Sequence, residues 1–359
     1  MKVLIVTRTN WSEPPRIRHQ LCQMMLEQGH EVVFFEKPTN NLLSTLKLRR
    51  VSEKLTLGVY PELLHHQLKL FGFLRFINAK FVKSKLKTYL RNNRFDLVIN
   101  FNYDYYFLTS LIDKEKFITI INDDFIAQAK PWMKTVVKKQ MQETCVRSKA
   151  TLSVSYPLDN MLKLFSNNSY LFLPWCDDQY EQPQKSGNRN VVLYYGFINN
   201  RIDWSIIKGL LEQKVQLRFV GPINEKKAKQ LVRKLSSYEN FEYLPPRCLS
   251  EVNLQDVCCS IAPYDIKIKS VQACTISNRA FRLLAKGIPV IYPSLPYIIE
   301  SPNEVISTAS SVNEYIDNIN FYKHSFYECQ PSIREFLASH HSASRYQLLQ
   351  TIVPNVTFS

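Results

Sequence analysis

The sequence predicts a mixed α/β protein made of two domains, each with a mainly parallel sheet. The chain has 359 residues, which is more than one ordinary hydrophobic core holds. Short apolar runs alternate with amphipathic helical stretches in both halves, as expected for successive strand–helix–strand units. A polar segment, Asp177–Asn190, has no apolar periodicity and separates the two series.

The first series fills the N-terminal half of the chain. Its strands are expected at Lys2–Thr7, Glu31–Phe35, Asp96–Phe101, Phe117–Asn122 and Ala150–Ser155. Its helices are expected at Pro14–Gln28, Glu62–Arg94, Tyr105–Ile112 and Trp132–Arg147. Gly29 is a good stop for the first of these helices. Buried runs separated by amphipathic helices favour a parallel sheet that is covered on both faces.

The second series repeats the pattern. Its strands are expected at Val191–Tyr195, Gln216–Val220, Phe241–Tyr243, Ser260–Ala262 and Pro289–Tyr292. Its helices are expected at Trp204–Glu212, Glu225–Ser236, Ser277–Lys286, Val312–Tyr322 and Ile333–Leu349. Two such series predict two Rossmann-like domains that face each other across a cleft, with ligands at the carboxyl ends of the strands.

We place the domain boundaries from these elements. Residues 1–180 form the N-terminal domain, residues 181–190 the linker and residues 191–330 the C-terminal domain. The remaining segment, 331–359, carries a last helix that could cross back to the first domain. Domain boundaries fall in polar, Pro- and Gly-containing linkers, which is why the segment before residue 191 is chosen.

The cysteines and the lengths of the apolar runs indicate the cellular compartment in which the protein is expected. The eight cysteines form no C-x-x-C pair, so we expect buried thiols in a reducing compartment rather than a zinc site. No run approaches the ~20 apolar residues of a membrane span, and the N-terminal apolar run is too short for a signal peptide. The sequence therefore predicts a cytoplasmic protein.

The formal charge of +15 is concentrated in one segment. Residues 47–94 contain twelve Lys and Arg against two acids. Such a segment indicates an anionic partner surface. A packed helix with a solvated basic face and a helix lying on an anionic membrane both explain it. We find no nucleic-acid-binding module, so nucleic acid is not expected as a partner.

Three strand motifs and one helix motif in the second half carry a family resemblance. The strands are Val191-Val-Leu-Tyr-Tyr-Gly, Gln216-Leu-Arg-Phe-Val-Gly-Pro and Asn240-Phe-Glu-Tyr-Leu-Pro-Pro. The helix motif is Ser277-Asn-Arg-Ala-Phe-Arg-Leu-Leu-Ala-Lys-Gly-Ile-Pro-Val-Ile. In this order the motifs resemble the donor domain of GT-B glycosyltransferases of the family-4-like type, over roughly residues 190–300.

The resemblance implies a nucleotide-sugar co-substrate, UDP- or GDP-linked, in the C-terminal domain. No other cofactor is expected, and no obligatory metal, because no convincing D-x-D motif is present. The candidate donor- and phosphate-binding residues are Gly196, Arg201, Pro263, Tyr264, Ser277, Asn278, Arg279 and Arg282. A helix N-terminus presents free N–H groups and a positive dipole end to a diphosphate. Arg279 and Arg282 are three residues apart and share a helix face. Arg282 stands where the family has a glutamate for the ribose, so the stereochemistry of transfer is left open.

The N-terminal domain offers candidates for catalysis and acceptor binding. Glu13, His19, Asp123 and Asp124 follow predicted strands and are the candidate catalytic residues. Arg16, Arg18 and Asp104 are the candidate acceptor contacts. The alternatives are a Pro-stiffened helix start with solvated charges for the first loop, and helix capping for the aspartates. That loop has no glycine, which argues against a dinucleotide site, and no D-x-D metal motif is evident.

Taken together, these features predict a glycosyltransferase that moves a sugar from a nucleoside-diphosphate donor to a hydroxyl of a glycan or lipid-linked acceptor. Bacterial surface polysaccharide synthesis, at the inner face of the cell membrane, is the expected setting. Two alternatives remain at this point. One is a catalytically inactive GT-B scaffold that binds a glycan or a partner, and the other is a nucleotide-sugar epimerase of the same fold.

Overall fold

The computed structural model describes residues 1–13, 16–63, 72–185 and 187–353. The chain forms two compact units. The first contains Met1–Leu173 together with the described residues after Ser342, and the second is Pro174–Ser342. Each unit is built on its own sheet, so the predicted fold class of two Rossmann-like α/β domains is confirmed.

The first unit contains an eight-stranded sheet. Its strands are β1 (Lys2–Val6), β2 (Glu31–Phe35), β3 (Lys47–Arg50), β4 (Leu55–Val59), β5 (Leu97–Asn100), β6 (Phe117–Ile121), β7 (Ala150–Ser153) and β8 (Ser169–Leu171). They lie in the order β3-β4-β2-β1-β5-β6-β7-β8. The pairs are parallel except for the edge pair β3–β4, which is antiparallel.

The helices of the first unit connect these strands. They are α1 (Ile17–Glu27), α2 (Gly72–Asn92), α3 (Phe125–Gln128), α4 (Lys134–Arg147) and α5 (Tyr156–Lys163). On α2 the buried apolar residues are Ala79, Val82, Leu86 and Leu90, which recur at helical spacing. They pack with Leu4 and other strand residues in the main core of this unit.

The second unit has a six-stranded parallel sheet. Its strands are β9 (Val191–Tyr195), β10 (Gln216–Val220), β11 (Phe241–Leu244), β12 (Val257–Ile261), β13 (Val290–Pro293) and β14 (Ile306–Ala309), in the order β11-β10-β9-β12-β13-β14. Its helices are α6 (Trp204–Glu212), α7 (Lys226–Leu235), α8 (Lys269–Gln272), α9 (Asn278–Ala285), α10 (Val312–Ser325) and α11 (Gln330–Ser339). Strand β12 is buried at all five positions, as expected for a central parallel strand.

The single helix predicted over Ile333–Leu349 is wrong, because the chain forms α11 and then a separate helix, α12 (Ser342–Ile352). Between them the backbone pairs with Cys176, whose N–H donates to His340 O at 2.9 Å. The N–H of Ser342 in turn donates to Cys176 O at 3.2 Å. These bonds occupy backbone N–H and C=O groups that would hydrogen-bond within the helix if it were continuous.

Helix α12 packs in the first unit. Tyr346 hydrogen-bonds through its hydroxyl to Nε2 of His30 at 2.6 Å, and Arg345 Nε donates to Leu173 O at 2.9 Å. Leu349 is fully buried in the same region. The last described helix therefore belongs to the unit that contains the N-terminus.

Other segments also differ from the sequence-based expectation. The helix predicted at Tyr105–Ile112 is only a 3-10 turn, Tyr106–Ser110, and strands β3, β4, β8 and β14 were not predicted. Of the tract Glu62–Arg94, helix α2 begins at Gly72, and residues 64–71 lie outside the described part, as do Pro14 and Pro15. Among the helices that the structure describes, none has the length and apolarity needed to cross a membrane.

The division into units falls between Leu173 and Pro174. The polar residues that follow, predicted as a linker, make hydrogen bonds within the second unit. Glu181 N donates to Ala285 O at 2.7 Å, and Arg189 Nη1 donates to Leu254 O at 2.8 Å. These bonds attach the segment to the second sheet and its helices.

Candidate functional site

The strand order of the second sheet reverses between β9 and β12. From β9 the chain continues to β10 on one side, and from β12 it continues to β13 on the other side. Ligands of open parallel sheets bind at such a reversal, beside the carboxyl ends of the strands. Gly196 follows β9 there, and Pro263 and Tyr264 follow β12 shortly after it ends. Backbone bonds tie the two loops, with Asp203 N donating to Pro263 O at 2.7 Å and Asp265 N to Arg201 O at 2.8 Å.

Arg279, in the first turn of α9, extends across this reversal. Its Nη1 donates to Tyr195 O at 3.1 Å and to Tyr194 Oη at 3.3 Å, and its Nη2 donates to the hydroxyl of Tyr264. The guanidinium carbon lies 5.5 Å and 5.6 Å from the ring centroids of Tyr194 and Tyr264. A permanent cation is therefore fixed between the ends of β9 and β12.

Two glycines allow this close packing. Gly196 has φ 143°, and a Cβ there would lie 2.0 Å from Arg279 Nη1. Gly221, after β10, has φ 149°, and a Cβ there would lie 1.9 Å from the carbonyl oxygen of Gly196. A side chain at either position would displace backbone or the guanidinium, so both positions require glycine.

The N-terminus of α9 is held by Ser277 and Tyr292. Ser277 is the N-cap, and its Oγ accepts from Ala280 N at 3.4 Å. The Tyr292 hydroxyl lies 2.9 Å from Ser277 Oγ and accepts from Ser277 N at 3.2 Å. Burial raises the pKa of Tyr292, so its hydroxyl stays neutral and keeps these bonds.

The structure therefore brings most of the predicted donor residues to one edge of the second sheet. Asn278 is the first residue of α9, next to its cap. Arg282 lies one turn further along, is partly exposed and has Nε 3.8 Å from Asp178 Oδ2. Sequence reasoning missed Tyr194 and Tyr292, although both stand in strands next to this edge.

The strand order of the first sheet reverses between β1 and β5. Arg8 follows β1, and its Nη1 and Nη2 donate to the two Asp104 oxygens at 2.7 Å and 3.0 Å. The Arg8 Nη2 also donates to Glu62 at 3.0 Å, and Asn78 donates to the same oxygen at 3.2 Å. Asp104 is thus part of a buried ionic network that sequence reasoning missed.

Arg18 connects the ends of β1 and β6. Its Nη1 donates to Thr9 Oγ1 and its Nη2 donates to Asn122 Oδ1 at 3.0 Å. Burial lowers the pKa of Arg18 to about 10. The positive charge of Arg16 lowers this pKa further, whereas the negative charge of Asp123 raises it. A basic group with neutral hydrogen-bond partners therefore contacts Asn122, the residue that precedes Asp123.

The two aspartates after β6 have different contacts. Asp124 is the N-cap of α3, and its Oδ1 accepts from Ala127 N at 2.8 Å. Asp123 is half-buried, and its Oδ1 accepts from Asp124 N at 3.0 Å. The capping alternative therefore describes Asp124, whereas Asp123 has no ion pair within 4.0 Å among the described residues.

Glu13 and His19 fasten the loop before α1. Glu13 pairs with Arg16 at 3.0 Å and accepts from Asn10 N at 3.1 Å. His19 Nδ1 accepts from Arg16 N at 3.1 Å, so its Nε2 carries the proton and donates to Asn10 O at 3.2 Å. His19 is 7% exposed, and burial lowers its pKa. Both ring nitrogens are engaged in holding the loop.

Two Rossmann-like units, each with polar side chains at the reversal of its sheet, define the GT-B fold class. Among solved structures, sucrose-phosphate synthase from Thermosynechococcus elongatus shares the fold with a TM-score of 0.69 and 9% identity, covering 99% of this chain and 98% of that chain. HepE from Anabaena, in complex with UDP and glucose, has a TM-score of 0.69 and 11% identity, with 99% of each chain covered.

A glycosyltransferase from Rickettsia africae has a TM-score of 0.67 and 13% identity, again with 99% of each chain covered. At these identities the likeness establishes the fold, over nearly the full chain. No protein-family model matches the sequence, and no curated protein matches it either.

Proposed function

We propose that this protein transfers a sugar from a nucleoside-diphosphate donor to a hydroxyl group of an acceptor. The observation that carries the proposal is the Arg279 guanidinium, fixed at the reversal of the second sheet beside Gly196 and the N-terminus of α9. The fold is shared with HepE, whose structure holds UDP and glucose, and with a glycosyltransferase. The second unit is the donor-binding unit in this proposal, and the nucleotide is UDP or GDP.

The arginines act on the leaving group. In the transfer step the acceptor oxygen bonds to the anomeric carbon, and the bond from that carbon to the diphosphate oxygen breaks with its electron pair going to the diphosphate. Negative charge then develops on the diphosphate, and fixed cations and helix N–H groups stabilise it. Arg279 acts from its fixed position. Arg201 and Arg282 are partly exposed, so their side chains are proposed to reach the phosphates.

For an inverting transfer, Asp123 is the proposed base that takes the proton of the acceptor hydroxyl. Asp124 is occupied as a helix cap, and both His19 nitrogens are hydrogen-bonded. Glu13 is paired with Arg16. Arg18 is the first proposed acceptor contact, because its hydrogen-bond partners Thr9 and Asn122 are neutral and leave its charge uncompensated. The exposed Arg16 is the second.

The acceptor is proposed to be a glycan or a lipid-linked sugar in bacterial surface polysaccharide synthesis, used at the inner face of the membrane. The charge distribution supports this setting. Residues 1–173 contain 26 Lys and Arg against 14 Asp and Glu, whereas residues 174–342 contain 19 against 17. The excess lies in the unit to which the acceptor is assigned, and phosphate-bearing acceptors and anionic lipids are both attracted by such a charge.

The test is thermal stabilisation of the purified protein by UDP, GDP, CMP, ADP and NAD. A ligand that binds only the folded state stabilises it by about 2.7 kcal/mol at a hundredfold excess over its dissociation constant. We expect a shift with UDP or GDP that Arg279→Ala abolishes and that the exposed control Arg334→Ala retains. A shift with NAD alone, or none with any nucleotide, would contradict the proposal.

A further inference from the structure

The second unit contains a cavity of about 330 Å³ that shares no residue with the candidate donor site. Its polar lining residues are Glu181, Gln182, Gln184, Arg189, Gln255 and Lys286. Ligand pockets of proteins are typically about 300–1,000 Å³, so this cavity has room for one small metabolite.

The cavity lies at the amino ends of the strands of the second sheet. Arg189 is two residues before β9, and Gln255 is two residues before β12. Gly196 and Tyr264, in the candidate donor site, follow the carboxyl ends of the same two strands. Each strand has five residues, which span about 16 Å, so the two sites lie at opposite edges of the sheet. We name this cavity the amino-edge cavity.

Arg189 is the buried charged group of the amino-edge cavity, and its side chain is held in one position. The residue is only 7% exposed. Its guanidinium donates from Nη1 to Leu254 O and Val257 O at 2.8 Å each, and from Nε and Nη2 to Tyr327 Oη and Gln184 O at 3.2 Å each. Because a guanidinium has five N–H groups, one on Nη2 is left without an acceptor among the described residues.

These contacts leave the positive charge of Arg189 without a counter-ion. All four acceptors are neutral oxygens, and no carboxylate of the described residues lies within 4.0 Å of the guanidinium. Arg218, in the same unit, instead bonds to the carboxylates of Glu242 and Asp256. A buried cation without an opposite charge carries an uncompensated desolvation cost, which a bound anion would offset.

The other polar groups of the cavity suit an anion that also carries hydroxyl groups. Lys286 Nζ pairs with Glu181, whose side chain is 64% exposed. Exposed ion pairs contribute little, so a ligand anion can replace Glu181 as the partner of Lys286. Gln182 and Gln255 have side-chain amides, which both donate and accept hydrogen bonds and so match sugar hydroxyls.

We propose that the amino-edge cavity binds a small anionic carbohydrate, a monosaccharide that carries a phosphate or a carboxylate group. The anionic group lies against Nη2 of Arg189 and Nζ of Lys286, and the sugar hydroxyls bond to the glutamine amides. The proposal goes beyond sugar transfer, because it adds a second ligand site at the edge of the sheet opposite the candidate donor site.

Calorimetric titration of the full-length protein tests the proposal. Glucose 6-phosphate, glucuronate, glucose and inorganic phosphate are titrated separately, with UDP present to occupy the candidate donor site. We expect glucose 6-phosphate or glucuronate to bind, and the better of the two identifies the anionic group. Glucose and inorganic phosphate are expected to bind at least about tenfold more weakly, because each lacks one half of the recognised structure.

Substitutions locate the bound ligand. Arg189→Gln is expected to weaken binding by at least about tenfold, and Lys286→Gln by about two- to fivefold. Gln182→Trp changes an exposed residue and fills the cavity with an indole ring, so it is expected to abolish binding. This variant decides the matter if circular dichroism shows that Arg189→Gln does not fold.

Two arginine variants are the matched controls. Arg218→Gln removes a guanidinium that already has carboxylate partners, and it is expected to bind as the unmodified protein does. Arg16→Gln, in the candidate acceptor site of the first unit, is expected to do the same. Loss of binding in Arg16→Gln with retention in Arg189→Gln would place the ligand in the first unit and overturn the proposal.

Three further results would overturn it. These are no binding of either anionic sugar, binding of inorganic phosphate as tight as that of glucose 6-phosphate, and full binding by Gln182→Trp. Thermal stabilisation by UDP is scored separately on the same samples. Sugar-anion binding without a nucleotide shift would reject the proposed function and keep the amino-edge cavity as a site, and the reverse result would reject only the cavity.

Discussion

Asp123 and Asp124 are neighbours in the chain with different contacts, which makes a matched pair of variants possible. Asp123→Asn is expected to lower the rate of nucleoside-diphosphate release, measured with acceptor present, by about 10²–10⁴-fold, because the base is lost. Asp124→Asn is expected to keep the rate, since asparagine also caps helices well. Nucleotide stabilisation should be unchanged in both. Equal losses in the two variants would remove Asp123 from the role of base.

Gly196→Ala tests the packing at the reversal of the second sheet. The new methyl group would lie 2.0 Å from Arg279 Nη1 at a φ of 143°. We expect a loss of about 1–3 kcal/mol in the free energy of unfolding, together with weaker nucleotide stabilisation. The control is Gly187→Ala, where a Cβ would meet nothing within 4 Å. If both variants behave as the unmodified protein does, the tight contact is not required.

Some residues of the candidate donor site could be predicted individually from the sequence. Ser277 and Arg279 follow from helix-start chemistry, and Gly196 follows from its position after an apolar strand. The partners of Arg279 could not be predicted, because Tyr194 and Tyr264 are 85 and 15 residues away from it in sequence. The Arg8 network with Glu62 and Asp104 was missed for the same reason.

At the scale of elements, buried parallel strands were the best-predicted feature. Strands β2, β9 and β10 have the predicted bounds. Strand β9 is a continuous apolar run and β2 is one after Glu31, whereas in β10 Gln216 and Arg218 alternate with buried apolar residues. Strand β3 was missed because all four of its residues, Lys47–Arg50, are exposed and three are basic. A charged edge strand resists pairing with other chains, and its sequence does not have the alternation that predicts strands.

His19, at the start of helix α1, predicts that the free energy of unfolding depends on pH. Burial lowers the pKa of His19, whereas the unfolded chain has the ordinary value of about 6.5. The unfolded state therefore binds protons first, so the contribution of neutral His19 is present above about pH 6.5 and is lost as the pH falls below it. Protonation would also break the bond from Arg16 N to Nδ1.

His19→Gln isolates this effect. Glutamine can still accept from the backbone N–H at the helix start, but it does not titrate. Urea unfolding at pH 8 and pH 5.5 should show a smaller loss of stability on acidification in His19→Gln than in the unmodified protein. His30, whose pKa burial also lowers, accounts for a remaining dependence in both proteins. An identical pH dependence would show that His19 is not linked to folding.

At the scale of the whole molecule, α12 predicts that the last part of the chain stabilises the first unit. Leu349 is fully buried there, and Leu349→Ala is expected to cost about 2–5 kcal/mol. Calorimetry should show the loss in the unit that nucleotide does not stabilise, while the exposed control Gln347→Ala has little effect. A loss confined to the nucleotide-stabilised transition would contradict this placement.

The path of the chain between the units has a consequence for protein engineering. The chain enters the second unit at Pro174 and leaves it after Ser342, and we call these two places the crossings. Hydrogen bonds between Cys176 and the backbone of His340–Ser342 hold the chain segments at the two crossings next to each other. In topological terms the second unit is an insertion into the first. A chimera cut once, at a single junction, would separate the first unit from its own last helix. Exchange of the second unit, which is proposed to bind the donor, as one intact segment therefore requires two junctions, one at each of these adjacent crossings.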